Sequence, residues 1–237
     1  MDNDFKIVTL KGAERIRRRP AVVFGDDSRE GATTAVKLLL NIFLTEAELG
    51  FCDRLSLGLE GKDTVVIKSL DRGFLLDETP QDGHPAWYYD FCEFGFAPRE
   101  NNEEYLYTVG RKYGAFYGAE EGEMPPFRAK GDPAFDLCCV QCASKWMQVE
   151  SVHKNKWKSL RFEKGCPVGK MLKKDTDQPS FTKISFQLDG EVFTDPSVDF
   201  VTLARYLREN AASLNGFECR ISTEPFFAEL FRAPEKG

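Results

Sequence analysis

Three cysteines close together, Cys138, Cys139 and Cys142, are the first candidates for chemistry, because thiolates at such spacing bind zinc when other ligands converge on them. The two histidines, His84 and His153, lie elsewhere in the sequence, and a structural zinc site takes four ligands, usually as two such pairs. Small thiols buried on a helix are the more economical reading. Neither histidine has a neighbouring Ser, Cys or Asp pattern that would activate a nucleophile. Arg15, Arg17, Arg18 and Arg19 form a basic run suited to nucleic acid, and Lys154, Lys156 and Lys158 surround Trp157 in a second mixed patch. The first reads as a solvated helix end, where arginines suit the helix dipole, and the second as a hairpin tip with solvated lysines. Direct DNA binding is therefore not expected.

Those residues must be positioned by a folded scaffold, and the composition supplies one. The chain has 237 residues, 42% of them hydrophobic and 20 of them Phe, enough for one large domain or two small ones. With 32 Lys plus Arg against 38 Asp plus Glu the net charge is −6, which excludes a polybasic tail binder. No window approaches the ~18 apolar residues of a membrane helix. The acidic start lacks the apolar core of a signal peptide, so a soluble cytoplasmic protein is expected. Seven cysteines, an odd number in a chain too large to need staples, read as reduced thiols.

Lys11 to Arg19 has helical composition and stops before Pro20, since a residue preceding proline is pushed out of the α region. A brief apolar run, Ala21 to Phe24, and a polar turn, Ser28 to Gly31, lead into a helix over Thr33 to Gly50. In that helix Val36, Leu39, Leu40, Phe43, Leu44, Ala47 and Phe51 recur at three- and four-residue steps. Arg54 to Leu59 and Thr64 to Lys68 form a hairpin around Glu60-Gly61-Lys62-Asp63. Residues 80–130 have little period and read as an irregular, lid-like insertion with short helices. A buried helix over Phe135 to Lys145 follows, then strands Met147 to Val152, Trp157 to Phe162 and Thr182 to Leu188. A helix over Phe200 to Ser213 and a strand over Phe217 to Ser222 complete the order α, ββ, irregular, α, βββ, α, β. Such grouping predicts an α+β two-layer sandwich, with helices on one face of a mixed, mostly antiparallel sheet.

Several segments resemble the ATP-binding domain of the DNA gyrase and topoisomerase IV B subunits, of the Bergerat, histidine-kinase-like (GHKL) type. LKGAERIRRRPAVVFGDD resembles that family's first helix and Arg-Pro segment, and GATTAVKLLLNIFLTEAELGFCDRL its long catalytic helix. VVIKSLDRGFLLD resembles the strand and turn written Asp-Asn-Gly-Arg-Gly-Ile-Pro-Val in the family. CASKWMQVESVHKNKWKSLRFEKGCPVG resembles its central hairpin, and FTKISFQLDGEVFTDPSVDFVTLARYLRENAASLNGFECRIS its last strand, helix and strand. The likeness covers roughly residues 10–222 and implies the Bergerat fold.

The resemblance also implies lost chemistry. The Glu that activates water falls at Leu38, and the Asn that coordinates magnesium falls at Ile42, where a hydrocarbon replaces an oxygen ligand. The adenine-reading Asp falls at Ser69, which keeps hydrogen bonding but not the negative charge. The glycine-rich phosphate lid falls on Gly131-Asp132-Pro133-Ala134-Phe135-Asp136, with a proline that lacks an N–H and two carboxylates that repel polyphosphate. Glu46 and Arg72 match an ion pair beside the base, Gly73 a glycine of the turn, and Thr182 the hydroxyl that helps bind adenine. These five, Glu46, Ser69, Arg72, Gly73 and Thr182, are the expected remnant pocket. The ion pair on its own is also explained as a tie between helix and sheet.

Tyr88, Tyr89, Phe91, Phe94, Phe96, Tyr105, Tyr107, Tyr113, Phe116 and Tyr117 would then fill the vacated phosphate cavity in preference to forming a partner surface. The expectation is a single gyrase-B-like domain over 1–237, with no transducer or DNA-cleavage domain and no room before Leu10 for the family's dimer-swapping arm. Its expected role is that of a non-hydrolysing binding or regulatory paralogue, with no catalytic residue, metal or cofactor, and with a gyrase or topoisomerase subunit as the candidate partner. The alternative is a nucleotide-binding subunit or fragment of an ATP-dependent type II DNA topoisomerase, taking ATP without the usual magnesium mode.

Overall fold

The computed structural model describes residues 12–48, 50–74, 76, 77, 85–92, 133–223 and 227–234. Three helices come first: α1 (Ala13–Arg18), α2 (Ala21–Phe24) and α3 (Arg29–Glu48). The hairpin β1 (Arg54–Glu60) and β2 (Thr64–Leu70) follows, then α4 (Ala86–Cys92) and α5 (Pro133–Ala143). Four strands come next: β3 (Ser144–His153), β4 (Lys156–Glu163), β5 (Cys166–Asp175) and β6 (Phe181–Leu188). The described chain closes with α6 (Phe200–Ala211), β7 (Glu218–Thr223) and β8 (Phe227–Arg232).

The eight strands form one sheet in the order β5-β4-β3-β6-β2-β1-β7-β8. Every neighbouring pair is antiparallel except β1 with β7. Alternation decides which face is covered. Leu55, Leu57, Val65, Ile67, Met147, Val149, Ile184, Phe186 and Ile221 join α3, α5 and α6 in one core, while Ser56, Lys68, Gln148, Lys183 and Arg220 project from the other face. The structure is thus the expected α+β arrangement on a mixed, mostly antiparallel sheet.

Helix α3 positions the site, and its ends are fixed by local chemistry. The Asp26 carboxylate accepts the Ser28 and Gly31 N–H groups, each at 2.8 Å, satisfying donors that a helix start leaves orphaned. Gly31 is required there because a Cβ would overlap the Asp26 backbone carbonyl. This cap starts α3 at Arg29, four residues before the expected Thr33. After Glu48 the Phe51 N–H bonds back to the Glu46 carbonyl at 2.9 Å, with Gly50 at φ 77°. Phe51 therefore lies outside the apolar stripe into which its spacing placed it, and is 38% exposed. Helix α6 is capped by Asp199, which accepts the Val201 and Thr202 N–H groups at 3.0 and 3.1 Å.

Other expectations are corrected. Ala21 to Phe24 is a helical turn, α5 begins at Pro133 and ends at Ala143, and strands β5 and β8 were not foreseen. Lys158 is not a solvated tip residue: it is buried and paired with Asp77, which also takes Lys173 at 2.9 Å. Lys154 and Asn155 do form the tip, both at positive φ as a two-residue hairpin turn requires. Arg17 is likewise no solvated end, since it donates to Asp189 at 2.7 Å, Glu191 at 3.0 Å and the Cys142 carbonyl at 3.2 Å, joining α1 to α5 and to the end of β6. Of the aromatics in residues 80–130, Phe91 is buried and stacks on Phe162 at 5.1 Å, and Tyr88 meets Trp87 edge-on at 6.2 Å. Of Tyr89 only its place in α4 is described, and Phe94, Phe96, Tyr105, Tyr107, Tyr113, Phe116, Tyr117 and His84 lie outside the described residues. Among the described residues no helix is long and apolar enough to cross a membrane, and no three His, Cys, Asp or Glu side chains converge to hold a metal ion.

Candidate functional site

Leu38, Ile42 and Glu46 follow one another at four-residue steps, so they line one face of α3. Ile42 is 5% exposed and belongs to the apolar core, and Leu38 packs against that core half-buried. Glu46, one turn on, is buried and faces Arg72, with Nε to Oε2 at 3.8 Å. The Arg72 guanidinium also lies over the Phe51 ring, 3.6 Å from its centroid. Phe51, exposed at the helix end, thus serves as a cover for the arginine.

Opposite α3, Ser69 on β2 and Thr182 on β6 are cross-strand partners and both fully buried. Their hydroxyls converge on a residue that sequence reasoning passed over. Asp71 accepts the Ser69 hydroxyl at 2.5 Å, the Thr182 hydroxyl at 3.1 Å and the Gly73 N–H at 2.8 Å. The negative charge missing at Ser69 is therefore present in the same cluster, delivered from two residues further along the chain. Burial pushes the Asp71 carboxyl up to about 6, and the bonds from Ser69, Gly73 and Thr182 offset only part of that. Burial first, then the nearby Asp71 and Glu46 carboxylates, also push up the thiol of Cys52. One signal in the sequence pointed here: an aspartate stands where the resembling family's turn has its first glycine.

The turn that carries Asp71 is held rigidly against the end of β3. Gly73 has φ 77°, and a Cβ there would overlap the carbonyl oxygen of Val152. The Ser151 hydroxyl donates to the Phe74 carbonyl at 3.0 Å. The Nδ1 atom of His153 lies 2.6 Å from the Arg72 carbonyl, and since a carbonyl only accepts, Nδ1 carries the proton. Glu46, Ser69, Arg72, Gly73 and Thr182 thus gather around two adjacent features, the Glu46–Arg72 contact and the Asp71 cluster. Of the expected lid, Gly131 and Asp132 lie outside the described residues, while Pro133 to Asp136 form the first turn of α5, and Asp136 is buried there. A cleft of about 1040 Å³ opens at the other end of the sheet, between the β1–β2 turn, the end of β6 and the start of α6, and includes none of the remnant-pocket residues.

No protein-family model matches the chain. Curated relatives do. The B subunit of DNA gyrase from Halalkalibacterium halodurans is 26% identical over 221 residues, 93% of this chain and 31% of that protein. The B subunit of the type 2 topoisomerase from Aquifex aeolicus is 24% identical over 86% of this chain and 23% of its own length. The B subunit of DNA gyrase from Thermotoga maritima is 25% identical over 92% of this chain and 32% of its own. The chain is thus similar to one portion of the gyrase and type 2 topoisomerase B subunits. It spans under a third of the length of these relatives, and its α+β architecture with a mixed eight-stranded sheet is consistent with the GHKL-type fold.

Leu38 and Ile42 do not fit magnesium on this face of α3. A hard cation takes oxygen ligands, and Ile42 offers methyl groups sealed in the core. Nor can Leu38 hold or move a proton. What the cluster can do is accept: an ionised carboxylate has about four lone-pair sites, and protein donors occupy three of them at Asp71.

Proposed function

We propose that the gyrase-B-like domain is a non-hydrolysing binding or regulatory module of a type II topoisomerase system. The observation that carries this reading is the burial of Ile42 in the apolar core, one turn from Leu38, where hydrolysis would call for a metal ligand and a base. Water activation requires a group that takes a proton at neutral pH, and leucine has none. In this reading Glu46 and Arg72 hold helix to turn, and a subunit of the gyrase or topoisomerase type is the partner. Phosphate release from ATP by the purified chain, with and without magnesium, tests it. Turnover above the buffer rate that tracks the protein through purification would refute it.

A second reading, that nucleotide is still bound, is favoured by one specific feature, the Asp71 carboxylate against Thr182. With Ser69 and Gly73 as its supports, that carboxylate suits an amino group on a flat heterocycle, and charge strengthens such a bond. Thermal-shift titration with adenosine, ADP and ATP, with and without magnesium, separates the two readings. A binder at a hundredfold over Kd gains about 2.7 kcal/mol, and no shift with any of the three removes this reading.

A further inference from the structure

Residues on β2 and β6 point alternately to the two sides of the sheet, so the strand pair that turns Ser69 and Thr182 toward Asp71 turns Lys68 and Lys183 the other way. Lys68 and Lys183 are direct cross-strand partners. Like charges placed directly opposite destabilise a sheet, and proteins break such local rules at functional sites. The row continues across β1 and β7, where Lys68 pairs with Ser56 and Ser56 with Arg220. Three cations therefore lie in one line across four neighbouring strands, a span of roughly 14 Å at the usual strand spacing. Beside that line Gly58 and Ser222, cross-strand partners with little or no side chain, leave room for a trough of about 480 Å³.

Protein groups neutralise this row only in part. Lys183 lies 3.9 Å from Glu150, which also accepts the Trp157 indole N–H at 3.3 Å, and Lys68 sits over the Phe181 ring, 4.7 Å from its centroid. Among the described residues neither Lys68 nor Arg220 pairs with a carboxylate, and both are exposed. Glu60, the last residue of β1, lines the trough as well. Cations gathered in this way, on a chain of net charge −6, call for an anion. A phosphoryl group, with about two charges, matches two lysines one strand apart better than a carboxylate with one. Arg220, two strands on from Lys68, offers a guanidinium fork to a further phosphate. We propose that this trough on the uncovered face of the sheet binds a short oligophosphate chain, its phosphates lying across β6, β2, β1 and β7. The site is separate from the Asp71 cluster and calls on neither a nucleotide base nor magnesium.

Isothermal titration calorimetry with sodium tripolyphosphate, in a magnesium-free buffer of low ionic strength, tests this. Binding to a single site per chain is expected, with affinity falling as salt rises. Lys68→Gln and Arg220→Gln should each weaken binding roughly tenfold or more, as the loss of a charge-assisted hydrogen bond does. Lys170→Gln, on the far edge strand β5, should leave it unchanged. Both trough residues are exposed, so truncating them leaves the core intact, and circular dichroism checks the fold of each variant.

Absence of binding heat at millimolar tripolyphosphate, or equal weakening by all three variants, would overturn the proposal. So would citrate binding as tightly as tripolyphosphate, which would reduce the trough to a general anion surface. A preference for oligothymidylate over tripolyphosphate at equal phosphate concentration would assign the trough to a nucleic-acid strand and overturn it too. Tripolyphosphate carries no heterocycle, so its result stands apart from the adenosine titration of the Asp71 cluster.

Discussion

Replacing Asp71 by asparagine should stabilise the protein at neutral pH relative to acid. Asp71 titrates near 3.8 when unfolded and near 6 in the fold, because burial penalises its charge more than Ser69, Gly73 and Thr182 compensate. A folded value above the unfolded one means that the native state binds the proton more tightly. The resulting stability is complete below pH ~4 and is lost as pH rises through about 6. A shift of about two units corresponds to roughly 3 kcal/mol, of which on the order of 1 kcal/mol is lost between pH 5 and pH 7.5. Asparagine can accept from Gly73 and Thr182 and donate to the Ser69 hydroxyl, so the cluster survives without the charge. Urea unfolding of both proteins at pH 5 and 7.5 measures the difference, and carboxylates common to both cancel. Parallel pH profiles, agreeing within about 0.5 kcal/mol, would refute the reasoning.

Gly73→Ala should cost more than ~2 kcal/mol, since it combines a left-handed backbone with overlap on the Val152 carbonyl; an unchanged unfolding midpoint would contradict that geometry. Ile42→Asn, which places an oxygen ligand at the helical position of the missing one, should destabilise by about 2–4 kcal/mol because it buries an amide among hydrocarbons, as calorimetry can check. Gln141 is 1% exposed and neither amide atom has a hydrogen-bond partner among the described residues, so Gln141→Met should raise stability by about 1–2 kcal/mol in urea unfolding. Arg17→Ala removes the guanidinium hydrogen bond to the buried Asp189 and should lower the thermal midpoint by more than Arg18→Ala, whose partner Glu14 is exposed.

Much of the fold was legible because burial on one face leaves a period in the residues. The stripe from Val36 to Ala47, the alternation in β1, β3 and β6 and the turn chemistry around Asn155 each announced an element. Strand β5 announced nothing: CPVGKMLKKD is an edge strand, exposed along nearly its whole length, so no hydrophobic alternation marks it, and its lysines, proline and glycine read as a loop. Strand β8 is the opposite edge, and its apolar residues fall in the pairs Phe227-Ala228 and Leu230-Phe231, so no alternation of residue type marks it. Lys158 and Arg17 read as solvated because charge is usually exposed; the carboxylates that bury them, Asp77 and Asp189, lie 81 and 172 residues away.

Residue type by itself determined what the helix face cannot do, since leucine and isoleucine handle neither protons nor hard cations wherever they sit. It also determined the class of fold, because periodicity is a local property of the chain. Only the tertiary structure decided that Asp71 meets Thr182, 111 residues away, and that Arg17 meets Asp189, 172 residues away. Those encounters depend on strand order and on the close approach of Gly73 to β3 and Gly165 to α5, distances that no short stretch of sequence encodes.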